Sequence, residues 1–151
     1  MERADPGEHW GDVVSDSDAT ATAYRERGWT AVAVHPGHVN PVADAGRIDV
    51  LLPGSEFETV NAQVAEADVD TVRVYTAATA SVEYRLVVAE DEDASVAVCV
   101  PTYVGTDAFE ALRQATTGDA LTIRLRPLDD RDVVEIDLPD PSVFFDATGE
   151  A

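Results

Sequence analysis

Ten segments of regular apolar spacing, in the order α-β-β-α-β-β-β-α-β-β, predict an α+β domain. Its expected centre is a largely antiparallel sheet of about five to seven strands with three helices packed on it. Three observations support this class. Helical stretches space their apolar residues by three and four, while the other segments alternate or run β-branched. Three consecutive strands and a closing pair are joined by short polar turns, the connection antiparallel neighbours use. The hydrophobic fraction of 45% is that of a chain with a packed core. The 151 residues read as a single domain, 1–151, with a core over about 7–138 and a tail over 139–151.

Asp5-Pro6 opens the first helix, a capping residue followed by proline at the first helical position. Trp10, Val14, Ser17, Ala21 and Tyr24 then recur at steps of four and three, Val13 widens the stripe, and Gly28 ends it. Asp12, Asp16, Asp18 and Glu26 face water. So thin an apolar face suits a helix lying on the outside of a sheet. Residues 29–35 (WTAVAVH) form a short strand broken by Pro36-Gly37. Residues 47–52 (RIDVLL) form a second, stopped by Pro53-Gly54. Ser55 and Glu58 then have capping-box spacing, and Phe57, Val60, Val64 and Ala67 give the next helix its apolar face.

Residues 71–79 are rich in β-branched side chains. Over 81–89, Val82, Tyr84, Leu86 and Val88 alternate with Glu83, Arg85 and Val87, and after the acidic turn Glu90–Asp93 the chain returns over 95–104. Aligning the apolar faces sets Val88 opposite Val96 and Leu86 opposite Val98. Asp107 and Glu110 have capping-box spacing for a third helix, with Phe109, Leu112 and Ala115 inward and Gly118 at its end. Leu121, Ile123 and Leu125 are answered by Val134, Ile136 and Leu138 in a hairpin that turns at Asp129-Asp130 and sets Arg124 opposite Glu135. The tail carries Val143-Phe144-Phe145, expected to dock on the body.

All ten basic residues are arginine; thirty Asp and Glu face them, for a net charge of −20. Such self-repulsion becomes tolerable when solvent screens it, and at about 1 M salt the Debye length is only ~3 Å. In this usage the chain resembles cytoplasmic proteins of extremely halophilic archaea. It is similar to an uncharacterised family of small acidic haloarchaeal proteins, a domain of unknown function. That resemblance rests on overall character and implies no site residues. The first eight elements, over about residues 7–117, resemble in their order the profilin-like folds, including roadblock and longin-type regulatory modules. The order implies a regulatory role and carries no activity.

One cysteine, Cys99, excludes an internal disulfide and a multi-cysteine metal site. Residues 1–6 show no basic or apolar leader, and no apolar run approaches the ~20 residues that span a bilayer, so a cytoplasmic protein with no membrane partner is expected. Nucleic acid is not an expected partner, because no basic stripe exists to neutralise phosphates.

The most suggestive cluster is His35-Pro36-Gly37-His38: two imidazoles three apart on a turn could share a metal, with Asp44 or Asp49 adding an oxygen. His9 is a further candidate. The plainer reading is a strand end with solvated rings. Cys99 lies within Val98-Cys99-Val100, where a thiol behaves as a small hydrophobe. Ser55 lacks a nucleophile elbow, Gly105-Thr106-Asp107 is no phosphate loop, and the stretch from Asp129 to Asp132 is an incomplete calcium loop. Arg73, Arg85, Arg124 and Arg126 all fall on strands, on faces opposite the expected core, where Glu83, Glu135 or Asp137 would pair them. Arginines left without carboxylates beside Tyr75 or Tyr103 would instead mark a binding site.

No catalytic set and no cofactor fingerprint emerges. The expected function is a non-catalytic interaction or regulatory module adapted to salt, with a protein partner or a homodimer both open. The rival is a small metal-binding protein or enzyme using His35 and His38.

Overall fold

Two sheets, each joining sequential antiparallel strands to strands far off in the chain, share one core. The computed structural model describes residues 7, 9–64, 69–116, 120–129 and 132–145. The elements begin with α1 (Trp10–Glu26), β1 (Thr30–Ala33), β2 (His38–Val42) and β3 (Arg47–Leu51). They continue with α2 (Gly54–Val64), β4 (Thr71–Ala78), β5 (Val82–Asp91) and β6 (Val96–Gly105). The chain closes with α3 (Thr106–Ala115), β7 (Leu121–Arg126), β8 (Val134–Leu138) and α4 (Ser142–Phe145).

The class is α+β, but the single, largely antiparallel sheet is two mixed four-stranded sheets, ordered β1-β6-β5-β4 and β2-β3-β7-β8. Each holds one parallel pair, β1 with β6 and β3 with β7, joined through long crossovers. The added strand is β2, whose Pro41 and sparse apolar residues hid it in the sequence. It lies at a sheet edge, where a proline deprives no neighbour of a hydrogen bond.

One face of the first sheet carries Ala31, Ala33, Leu86, Val88, Ala97 and Cys99 against Ala21 and Tyr24 of α1. The other carries Val87, Ala89, Val98 and Val100 into the core shared with the second sheet. Phe57 and Val60 of α2 and Phe109 and Leu112 of α3 fill the same core. The second sheet is one-sided: β7 and β8 bury alternate residues and show Arg124, Glu135 and Asp137 outward.

This layering explains the register of the central hairpin. Val88 stands opposite Cys99 and Leu86 opposite Pro101, not Val96 and Val98. Both faces of β5 are buried, so apolar alternation cannot choose the pairing. The turn chooses it. Glu90 and Asp91 stay in the strand, Asp91 accepts the Ala94 N–H at 3.1 Å, and Ser95 takes a left-handed φ of 56°. Arg85 is the second consequence: it sits on the inner face and is buried, not solvent-facing as expected.

Two other expectations hold. The β7–β8 hairpin sets Arg124 opposite Glu135 and Ile123 opposite Ile136. Phe144 and Phe145 dock beside Phe109, so the core reaches into the tail. The capping boxes do not form. α2 begins at Gly54, one residue ahead of Ser55, and Gly105 precedes α3 with no side-chain cap; Glu110 bonds Arg113 at 3.2 Å instead. The first helix starts at Trp10, with His9 as its N-cap, and not at the expected Asp5-Pro6; Asp5, Pro6, Ala67, Gly118 and Asp130 themselves lie outside the described residues.

Candidate functional site: the cleft between α1 and β4

The site begins where α1 ends. Gly28, at φ +89°, turns the chain so that the Trp29 N–H donates to the Tyr24 carbonyl at 3.1 Å. That fold-back brings Tyr24 and Trp29 together, ring centroids 5.1 Å apart. The Arg27 guanidinium lies over both, 4.6 Å from the Tyr24 centroid and 5.6 Å from that of Trp29.

The facing wall is β4. Arg73 and Tyr75 stand opposite Val88 and Leu86, so they share the sheet face that α1 occupies. Since α1 packs chiefly on β1 and β6 and more thinly on β5, it leaves the β4 edge of that face the least covered. Glu90, at the end of β5, lies beneath with its carboxylate 3% exposed. A buried charge requires partners, and one oxygen has two: the Tyr24 hydroxyl and Arg73 Nε, the latter at 3.0 Å. Burial, then hydrogen bonding to Glu90, pushes the Tyr24 phenol up to about 12. Tyr24 is therefore a donor at any physiological pH.

Two spaces open here. A cleft of about 640 Å³ lies among Arg27, Trp29, Arg73, Tyr75, Glu90 and Glu92. A mostly apolar groove of about 480 Å³ continues along α1 past Ala19, Ala77 and Leu86 to Val13, Asp16 and Tyr84. Thr20, Ala23 and Tyr75 line both, so the two adjoin.

The histidines are placed differently. His35 is clamped: Nδ1 lies 2.6 Å from Glu56 of α2, Nε2 2.9 Å from Asp18 of α1, and its backbone N–H donates to Glu56 at 2.7 Å. The Glu56 hydrogen bond raises its pKa against a lowering by desolvation, with Asp18 adding to the rise. His38 is exposed at the start of β2, opposite Leu51. Asp49 is held by Arg47 at 2.8 Å and Arg124 at 4.0 Å, and Asp44 sits in the one-turn helix after β2. His9 stands 3.6 Å from Asp12. Among the described residues, no three or more His, Cys, Asp or Glu gather as a metal would need. Cys99 is fully buried in β6, and burial pushes its thiol up to about 12, which makes it inert.

Of the cleft residues, sequence reasoning singled out Arg73 and Tyr75. It passed over Arg27 and read Tyr24 and Trp29 as core and strand. The available signal was local: two of ten arginines and one of two tryptophans flank the helix-ending Gly28.

Residues 2–146 match a family described as a family of unknown function (DUF7529). No curated protein and no solved structure matches the chain. Among the described residues, no helix is long and apolar enough to cross a membrane.

Proposed function

The chain belongs to DUF7529, a family of unknown function, and from this footing we propose that it is a non-catalytic binding module of a salt-rich cytoplasm, with the α1–β4 cleft as its binding face. One observation carries the reading. In a molecule of net charge −20, two arginines and three aromatic rings converge at the β4 edge of a sheet face that the protein's own helix covers only in part. Arg27 is spent on rings and Arg73 offers its terminal nitrogens beyond Glu90, which is how a protein presents guanidinium groups to a ligand. Tyr24 is held as a phenol, and the Glu90 carboxylate is taken up by the Tyr24 hydroxyl and Arg73. That supports recognition over turnover.

Two-dimensional ¹H–¹⁵N spectra recorded against a mixed library of small organic anions, cations and neutral compounds test this. Shifts should gather on Thr20, Ala23, Arg27, Trp29, Arg73 and Tyr75, with every compound recovered unchanged. Consumption of a compound, or shifts gathered at His35 and His38 on adding zinc or nickel, would favour the rival reading. A metal there would first have to displace Asp18 or Glu56 from the His35 ring.

A further inference from the structure

We propose that cleft and groove together form one site for an amphiphilic monocarboxylate, its head on Arg27 and Arg73 and its apolar body in the groove along α1. This rests on the binding reading above and names the ligand class. The head group follows from the donors. Arg73 engages Glu90 through Nε, which leaves the donors on its two terminal nitrogens, and its side chain is 51% exposed. The Arg27 guanidinium lies over Tyr24 and Trp29 at an exposed position, and the residue lines the cleft. Two planar guanidinium forks at one cleft match a carboxylate's paired oxygens. A cationic head is disfavoured, since it would sit beside the Arg27 and Arg73 guanidinium groups that line the cleft.

A single negative charge fits better than two. Glu90 and Glu92 also line the cleft, and although Glu90 is matched by Arg73 and Tyr24, further charge on the head would meet Glu92. The body of the ligand follows from the groove. Ala19 and Ala23 present no bulk on the helix side, and Tyr75, Ala77 and Leu86 give an apolar floor. The far end is acidic. Asp16 lines it, eleven positions before Arg27 on the same helix and so roughly 16 Å away at the rise of an α-helix. A second carboxylate on the ligand would lie within the mostly apolar groove, where no basic residue is among the lining, or, on a longer chain, would meet Asp16. The groove thus selects a molecule that is acidic at one end and apolar at the other.

Calorimetry at one fixed, high KCl concentration, with the Trp29 indole resonance as locator, decides the matter. The probes are octanoate, suberate, octylammonium and octanol. Octanoate should bind and shift Trp29, while suberate, octylammonium and octanol bind at least about tenfold more weakly. Arg27→Leu should weaken octanoate about tenfold with an unchanged fold, since Arg27 is exposed. Ala23→Trp, at an exposed helix position, should block the junction of the two spaces and abolish binding. The proposal falls if octanol or suberate equals octanoate, if Arg27→Leu has no effect, or if octanoate leaves Trp29 unmoved below its micellar concentration. Should octanoate fail while another library compound shifts the same residues, the ligand class is wrong and the binding face stands.

Discussion

His35 ties together three elements that the chain otherwise brings close only by packing: α1 through Asp18, the end of β1 through its own backbone, and α2 through Glu56. An imidazole with a carboxylate at each nitrogen is best satisfied as the imidazolium, which donates to both. Its folded-state pKa is therefore raised above 6.5, first by the Glu56 hydrogen bond. A raised pKa means the extra stability is complete below the unfolded value and fades as pH climbs through the folded one. Thermal melts across that window should fall with rising pH, and His35→Gln should flatten that slope while leaving alkaline stability nearly unchanged. A slope that survives in the variant would place the titration elsewhere. The ring is 48% exposed, so solvent and salt blunt the effect. A histidine at a strand end was visible in the sequence as a group with reach. Its partners, seventeen residues before it and twenty-one after, were not.

Elements repeat that lesson. The β7–β8 hairpin was legible because one face is wet, so alternation alone specifies its register. The β5–β6 pairing was not, because α1 covers one face of it and the common core the other. The same double burial converts Arg85 from an expected surface residue into the clasp of α4. Its Nε donates to the Phe144 carbonyl, its guanidinium lies 4.6 Å from the Phe109 ring centroid, and Glu83 accepts from it at 3.0 Å. Desolvation lowers its pKa, yet arginine stays charged across the physiological range. Arg85→Met would remove that charge and leave the Glu83 carboxylate and the Phe144 carbonyl without their donor. The expected loss is about 2–4 kcal/mol, the scale of a broken buried charge network. Phe144→Ala, at a fully buried ring, should cost a similar or larger amount, about 3–5 kcal/mol, through its cavity. If Arg85 acts by holding α4, the double variant loses less than the sum of the two in urea unfolding. Strict additivity would mean that they act independently. The cleft depends on the same kind of long-range placement. Arg73 and Tyr75 could be flagged one at a time, but only the α1–β4 juxtaposition makes them neighbours of Arg27 and Trp29.

At the scale of the whole molecule, the acids among the described residues divide into a few packed against arginines below the surface and many on exposed positions. Glu90, Glu83 and Asp49 are partly or wholly buried against arginines, where salt screens little. Most others lie on exposed positions of α1, the turns and the outer strand faces, repelling one another through solvent. Lowering KCl from about 1 M to about 0.01 M stretches the Debye length from ~3 to ~30 Å, a span that reaches across the domain. The melting temperature should therefore drop steeply over that range. NaCl and KCl at equal ionic strength should act alike, because general screening does not distinguish cations. Above about 1 M, screening is nearly spent, and further gain must come from strengthened apolar burial. There the salts should part by kind, sulfate stabilising more than chloride at equal ionic strength. Two regimes with different ion selectivity are thus the signature of a coat that repels itself around an ordinary core. A melting temperature indifferent to dilution would show that the charges are compensated locally. A marked preference for one cation in the dilute regime would point instead to ions held at defined positions among the carboxylates.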